Sequence, residues 1–190
     1  PPRSTLFPYT TLFRSEGIVV LDEAYHDFSG KTFIKQMEKH NNLVILRSLS
    51  KIGLAGLRVG YGIFPVMLAE QVNKVRLPYN SNSISQWVAN ELLNDFTPVQ
   101  NQIHSIVEER DRLMNELSKL PGITAYPSNS NFILFRASKD GEKVFNNLKA
   151  NGTLLRNLGS HPRLKNCLRV TIGTKQENDQ FLSQLRKAAS

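Results

Sequence analysis

The chain has 190 residues, with 24 Lys and Arg against 16 Asp and Glu, a formal net charge of +8 at pH 7 and a single cysteine, Cys167. One cysteine excludes an internal disulfide and favours a reducing, cytoplasmic compartment. No apolar run approaches the ~20 residues that span a bilayer, and the basic residues form no cluster. These patterns predict neither a membrane protein nor a nucleic-acid-binding protein, whereas anionic small molecules suit the positive charge.

Residues 1–15, PPRSTLFPYTTLFRS, contain no acidic residue and follow neither the helical nor the strand period. The near repeat of STLF and TTLF is typical of translated adapter sequence fused to a reading frame. We therefore interpret residues 1–15 as a non-native leader that is disordered and makes few contacts with the rest of the chain.

Residues 16–98 predict part of a larger α/β domain, because short apolar runs alternate with polar or helical segments. The expected elements are strands at 17–21, 43–47 and 59–64, a partly helical stretch at 31–40, a helix at 66–75, and a helix capped by Ser83 or Ser85 that ends at Asn94.

The first apolar run, residues 18–21, ends at Asp22 and is followed by Tyr25. A short apolar run of this kind predicts a buried parallel strand. Ligands of open α/β sheets bind beyond the carboxyl ends of the strands, so Asp22 and Tyr25 are expected at the mouth of a site. A turn or a helix cap is the alternative role for Asp22.

A lysine among anion ligands follows the second predicted strand, in RSLSKIGLAGLRVGY at residues 47–61. Lys51 is preceded by the hydroxyls of Ser48 and Ser50 and followed by the guanidinium of Arg58. Hydroxyl and guanidinium donors suit a phosphate dianion, and a lysine amine beside it can capture a carbonyl group. A surface turn with solvated charges is the alternative.

Taken together, these motifs resemble those of the fold-type I pyridoxal-phosphate enzymes, and within them the class I/II aminotransferases. VRLPYNSNSISQ at residues 75–86 and CLRVTIGT at residues 167–174 are most similar to the branch that acts on histidinol phosphate. The resemblance implies part of the large-domain sheet followed by an α+β small domain, and it covers only the later half of the family pattern. One difference is that Arg58 follows Lys51 by seven residues, where many relatives have eight.

The resemblance also implies a role for each motif residue toward pyridoxal 5'-phosphate. The implied roles are Lys51 as the catalytic Schiff-base lysine, Asp22 on the pyridine nitrogen, Tyr25 on the ring hydroxyl, and Ser48, Ser50 and Arg58 on the phosphate. No metal is expected, because the four histidines lack metal-ligand spacing.

Residues 99–190 predict a linking helix and the small domain. The expected elements are a helix at 99–120, strands at 123–126 and 132–136, a helix at 141–151, strands at 153–156 and 168–172, and a helix at 176–187.

Arg169 interrupts an apolar strand between Leu168 and Val170, where a charge is costly unless an acid or a ligand pairs with it. The resemblance makes Arg169 the arginine that binds the substrate carboxylate or phosphate, with a structural salt bridge as the alternative. Arg156 is a second candidate for the same anion. Asn131 is expected either near the site or in a turn.

The implied reaction is amino transfer between glutamate or 2-oxoglutarate and histidinol phosphate or imidazole-acetol phosphate, in histidine biosynthesis. Tyr79, Asn80 and Ser81 are expected to reach the partner's site in a homodimer of the full-length enzyme, and the chain alone is expected to be inactive. The alternatives are an aromatic aminotransferase, a threonine-phosphate decarboxylase of the same fold, or a catalytically silent domain.

Overall fold

A computed structural model describes residues 14–189, so the prediction for the leader lies almost entirely outside the described residues. At the end of that leader, Ser15 O accepts a hydrogen bond from Asn42 Nδ2 at 3.0 Å. The chain divides into two compact units, residues 1–97 and residues 98–190.

The first unit is built on a three-stranded sheet with the order β1 (Val19–Asp22), β2 (Leu43–Ser48) and β3 (Gly60–Ile63). β1 runs parallel to β2, and β3 is antiparallel to it, so the sheet is mixed. Leu43 and Ile45 are completely buried on one face of β2. β1 is the outer strand of the described sheet, and its Val20 is 53% exposed.

The connection from β1 to β2 differs from its prediction. It contains a helical turn, α1 (His26–Ser29), that was not predicted, and the partly helical stretch predicted at 31–40 is a 3₁₀ turn at Ile34–Glu38. Phe33 N donates to Glu23 Oε1 at 2.7 Å, and Thr32 Oγ1 accepts from Ile34 N at 3.1 Å. These bonds fix the residues before Ile34 in a turn, so the helical segment is shorter than the prediction.

Two helices complete the first unit, α2 (Val66–Val75) and α3 (Ser83–Asn94), and the bounds of α2 and the end of α3 match the prediction. The cap of α3 is a correction, because Asn82 Oδ1 accepts from Ser85 N at 2.8 Å and neither Ser83 nor Ser85 is the cap. Helical spacing places apolar residues on both helices, yet Met67 and Trp87 are 79% and 65% exposed.

The second unit packs helices against a four-stranded antiparallel sheet. Its elements are α4 (Thr97–Ser118), β4 (Ile123–Ala125), β5 (Phe132–Ala137), α5 (Gly141–Ala150), β6 (Arg156–Asn157), β7 (Cys167–Thr171) and α6 (Lys175–Ala189). The strand order is β4-β5-β7-β6. The core is formed by inward residues of β5 and β7, such as Phe135 and Leu168, together with Leu113 of α4 and Leu185 of α6.

The strand predicted at 153–156 is wrong, because only Arg156 of that range belongs to a strand. Thr153 N instead donates to Leu148 O at 2.9 Å and so closes the end of α5. Gly152, with a φ of 83°, provides the left-handed residue that this helix end requires. Among the helices of residues 14–189, none has the length and apolar character needed to cross a bilayer.

Candidate active site

Asp22 lies where β1 and β2 end at the same edge of the first sheet, opposite Leu46 in the parallel register. Its Oδ1 accepts from Ala24 N at 2.9 Å, so the side chain does stabilise a turn. The residue is exposed, and a carboxylate has a second oxygen that can accept a further hydrogen bond. The turn role is therefore compatible with a ligand role.

Ser48 is the last residue of β2 and caps the 3₁₀ turn Leu49–Lys51, since its Oγ accepts from Ser50 N at 3.1 Å. A hydroxyl that accepts in this way still has its own proton to donate. Ser48 and Ser50, both half-buried, thus present hydroxyl donors at the strand end that precedes Lys51.

Lys51 and Tyr25 are brought together across this edge, because Lys51 Nζ lies 5.5 Å from the centre of the Tyr25 ring. Tyr25 follows β1, and Lys51 ends the turn after β2. The parallel pairing of the two strands is what places a phenol and an amine, 26 positions apart in the printed sequence, beside one another.

The loop after Lys51 returns the chain to the same strand end. Gly53 has a φ of 96°, a backbone conformation that would be strained in a residue with a side chain. Leu49 N donates to Val59 O at 3.2 Å, which joins the two ends of the loop. Arg58 is exposed and has a φ of 57°, and Gly60, two residues later, pairs with Ser48. Arg58 is therefore only two residues from the position that pairs with Ser48.

Sequence reasoning missed an ion pair beside these residues, between buried Glu23 and half-buried Arg47. Arg47 donates to Glu23 Oε2 from Nε at 3.2 Å and from a terminal nitrogen at 3.0 Å. Glu23 also accepts from Thr32 Oγ1 at 2.9 Å. The only sequence signal was the position of each residue, because Glu23 directly follows Asp22 and Arg47 directly precedes Ser48.

Burial alone would raise the pKa of Glu23, but hydrogen bonds from Phe33 N, Thr32 and Arg47 outweigh it and hold that pKa below its usual value. Burial alone would lower the pKa of Arg47, but interactions with Tyr61 and Glu23 outweigh it and raise that pKa above its usual value. Both groups are therefore charged in the folded chain at neutral pH.

In the second unit, Arg169 of β7 lies directly opposite Arg156 of β6. The guanidinium carbon of Arg169 is 4.7 Å from the centre of the Phe132 ring. Arg169 Nε is buried and has no hydrogen-bond partner among the described residues. Two like charges on one face, one with an unsatisfied buried donor, make a candidate anion site.

The remaining candidates have less specific surroundings. Asn131 O accepts from Ile172 N at 2.9 Å and so extends the pairing of β5 with β7. Tyr79 is 93% exposed, and Asn80 is exposed beside it.

The residues at the carboxyl ends of β1 and β2 fit pyridoxal 5'-phosphate. Ser48 and Ser50 supply hydroxyl donors for a phosphate, Lys51 supplies an amine, and exposed Asp22 supplies an acceptor for a protonated ring nitrogen. The donor and acceptor set thus matches the chemical groups of the cofactor.

The sequence profile described as aminotransferase class I and II matches residues 7–185, and the chain belongs to this family. Its members are enzymes that depend on pyridoxal phosphate. The fold agrees with fold-type I enzymes of this kind. The match begins within the stretch that the sequence alone suggested to be a leader.

The curated relatives that the chain matches include histidinol-phosphate aminotransferases. The chain is 42% identical over 173 residues to that of Vesicomyosocius okutanii, which covers 91% of this chain and 49% of the relative. It thus spans about half the length of the curated relatives it matches.

Two solved structures of histidinol-phosphate aminotransferases share the fold of this chain. The histidinol-phosphate aminotransferase from Clostridium acetobutylicum superposes with a TM-score of 0.82 at 26% identity, over 90% of this chain and 54% of that one. The enzyme from Sinorhizobium meliloti, solved in complex with pyridoxal-5'-phosphate, gives 0.77 at 26% identity, over 90% and 48%.

Proposed function

We propose that this chain is part of an aminotransferase that exchanges an amino group between glutamate or 2-oxoglutarate and histidinol phosphate or imidazole-acetol phosphate. The observation that carries the proposal is the approach of Lys51 to Tyr25 at a strand edge rich in hydroxyl donors. The 42% identity to a histidinol-phosphate aminotransferase supports the choice of substrate.

In this proposal, Asp22 accepts from the protonated pyridine nitrogen and Tyr25 donates to the ring hydroxyl of pyridoxal phosphate. Ser48, Ser50 and Arg58 donate to its phosphate. The bound cofactor supplies an electron sink for the carbanion formed at the substrate carbon.

Lys51 has two tasks in the proposed reaction. Its Nζ would hold the cofactor, and the same Nζ would be the base that moves the proton at the substrate Cα. The half-buried position of Lys51 suits both tasks, because partial exclusion of water protects the amine and the moving proton from solvent.

Arg169 and Arg156 are the proposed anion-binding groups for the substrate. Like charges opposite one another on antiparallel strands are destabilising, and an anion held by both would relieve the repulsion. A phosphate or carboxylate would also satisfy the buried Nε of Arg169. Within residues 14–189 no ion pair joins Arg169 to an acidic side chain, which favours the ligand role over a structural salt bridge.

The proposal includes a homodimer in the cytoplasm, in which the segment with Tyr79, Asn80 and Ser81 contacts the partner. Support comes from the exposure of Tyr79 and from Cys167, a free and buried thiol that suits a reducing compartment.

A hybrid enzyme tests the proposal directly. In it, residues 16–190 follow the part of the Vesicomyosocius okutanii relative that precedes the matched region. With pyridoxal phosphate, the hybrid should transfer amino groups from histidinol phosphate to 2-oxoglutarate, and Lys51→Ala should abolish transfer. A folded hybrid that takes up cofactor yet transfers nothing from histidinol phosphate would contradict the substrate assignment.

The same hybrid separates the alternatives. Preference for phenylalanine or tyrosine as donor would indicate an aromatic aminotransferase, and release of carbon dioxide from threonine phosphate would indicate a decarboxylase. Assays of the 190-residue chain alone should show little or no turnover, since it spans about half the length of its relatives.

A further inference from the structure

The Glu23–Arg47 ion pair lies where the backbones of β1 and β2 separate. At the end of the paired strands, Glu23 N donates to Leu46 O at 2.8 Å. Beyond that bond the first segment turns into α1, whereas β2 continues to Ser48 and pairs with β3. The two side chains join the segments at the point where backbone pairing between them ends.

The pair lies on the opposite face of the sheet from Asp22. Successive side chains of a strand point to alternate faces, and Asp22 is opposite Leu46 in the register. Arg47 follows Leu46 on β2 and so points to the face that carries buried Ile45, and Glu23, the first residue beyond β1, is held there by its ion pair with Arg47. A ligand bound at Asp22 would not touch this ion pair, so any effect of the pair on the ligand must act through the neighbouring residues.

A third segment is held by the same carboxylate. Glu23 accepts from Phe33 N at 2.7 Å and from Thr32 Oγ1 at 2.9 Å, and Arg47 donates to Thr32 Oγ1 at 2.9 Å. These bonds close the loop between residues 23 and 33, in which Tyr25 lies. Glu23 is buried, with 9% of its surface exposed. Its carboxylate therefore connects both strand ends and the loop that contains Tyr25.

We infer that the Glu23–Arg47 pair is the positioning element of the cofactor site, and that it holds Asp22 and Tyr25 at a fixed separation from Ser48 and Lys51. This inference rests on the proposed function. Pyridoxal phosphate has a rigid aromatic ring, so the groups on its nitrogen and its phosphate must keep one spacing to bind it together. The Glu23–Arg47 pair, on the face of the sheet opposite Asp22, fixes that spacing before the ligand binds.

Hydrogen–deuterium exchange of the 190-residue chain without cofactor tests whether the Glu23–Arg47 pair holds the two strand ends together. Arg47→Met should accelerate exchange about tenfold or more in residues 22–33 and 47–58, because both strand ends lose their connection. Arg47→Lys keeps the charge but not the two-pronged contact, so its acceleration should be intermediate. The core of β2 near Leu43 should change much less.

Arg112→Met is the matched control. Arg112 bridges Glu109 and Asp179 at 2.8 Å each in the second unit, so its loss also leaves carboxylates without their arginine. Its exchange pattern should leave residues 22–33 and 47–58 unchanged. Equal acceleration throughout β2 in Arg47→Met, or none at the strand ends in either Arg47 variant, would overturn the positioning role.

Titration with pyridoxal phosphate gives the second readout, followed by borohydride reduction to trap the adduct on Lys51. Arg47→Met should weaken binding about tenfold or more, while Arg112→Met should bind as the unmodified chain does. Unchanged binding in Arg47→Met would overturn the inference. Failure of the unmodified chain to bind would count against the proposed cofactor site, and the exchange pattern would still decide whether the pair fastens the strand ends.

Discussion

Lys51 Nζ lies 5.5 Å from the centre of the Tyr25 ring, so the amine after β2 and the phenol after β1 form a cation–π contact. The contact joins the two sequence motifs that carry the proposed chemistry. It gives Tyr25 two separable properties, an aromatic face toward Lys51 and a hydroxyl that the proposal assigns to the cofactor ring.

Tyr25→Phe and Tyr25→Leu should separate these properties in the hybrid enzyme. Tyr25→Phe keeps the aromatic face but loses the hydroxyl, so cofactor should still attach to Lys51 with altered near-visible absorption. Tyr25→Leu also removes the cation–π contact, worth about 0.5–1 kcal/mol at an exposed site, so it should lower the stability of the cofactor-free chain, which Tyr25→Phe should leave nearly unchanged. Identical spectra for Tyr25→Phe and the unmodified hybrid would contradict the hydroxyl assignment.

Arg58→Ala should weaken retention of pyridoxal phosphate while leaving attachment to Lys51 possible. Arg58 is exposed, and in the proposal it donates to the phosphate only, so about 1.5–3 kcal/mol of charged hydrogen bonding should be lost. Dialysis followed by measurement of residual absorbance checks this expectation. Retention equal to that of the unmodified hybrid would show that Arg58 does not contact the phosphate.

Arg169→Ala should raise the KM for histidinol phosphate about tenfold to a hundredfold and spare the cofactor absorption, because it removes binding that precedes the chemical step. Arg136→Ala is the control on the same face of the sheet. Arg136 already donates to Cys167 Sγ at 3.3 Å and to Arg163 O at 3.1 Å, so its loss should leave KM unchanged. Steady-state kinetics of both variants decide the assignment, and equal effects would refute it.

Glu23 should contribute to stability in a pH-dependent way. Its folded-state pKa is lowered from 4.5, so its contribution is fully present above about that pH and is lost as the pH falls through the lower folded value. Glu23→Gln should cost about 1–3 kcal/mol at neutral pH, and this cost should shrink as the pH falls from neutral into the acidic range below the usual pKa of a glutamate. Urea unfolding of both proteins across that range measures the difference, which should not be constant.

Gly60→Ala should destabilise the first unit by about 1–3 kcal/mol, because the added Cβ would lie 2.9 Å from Arg47 O. Gly56→Ala is the matched control, in the 3₁₀ turn Ala55–Leu57 that precedes β3. A Cβ there meets nothing within 4 Å, and Gly56 is not among the glycines with positive φ, so the change should stay within about 0.5 kcal/mol. Thermal unfolding of the two variants should therefore differ clearly.

Local sequence patterns predicted most of the elements, because their signals lie within a few residues. The bounds of α2 were predicted from the period of its apolar residues, and the end of α5 from Asn151 and Gly152. The strand at 153–156 failed because Thr153 closes α5 through Leu148, a competing bond that apolar character alone does not reveal. Periodicity also did not indicate that Met67 and Trp87 would be exposed.

The candidate site was predictable only as far as its motif residues. Glu23 and Arg47 are 24 positions apart, and their contact depends on the parallel register of β1 and β2, which no local pattern specifies. The opposition of Arg156 and Arg169 depends in the same way on the pairing of β6 with β7. Residue type therefore identified the chemistry, whereas strand register decided which charges meet.

The outer position of β1 has a practical consequence for handling the chain. Within residues 14–189 no strand pairs with its outward edge, and Ile18 and Val20 are 60% and 53% exposed. Such an edge is a template to which an extended segment of another molecule can add, the first step toward fibrous aggregates. The net charge of +8 opposes that association through mutual repulsion, which salt screens. Dilute, low-salt solutions should therefore keep the chain dispersed, and concentrated solutions at high salt should promote its precipitation.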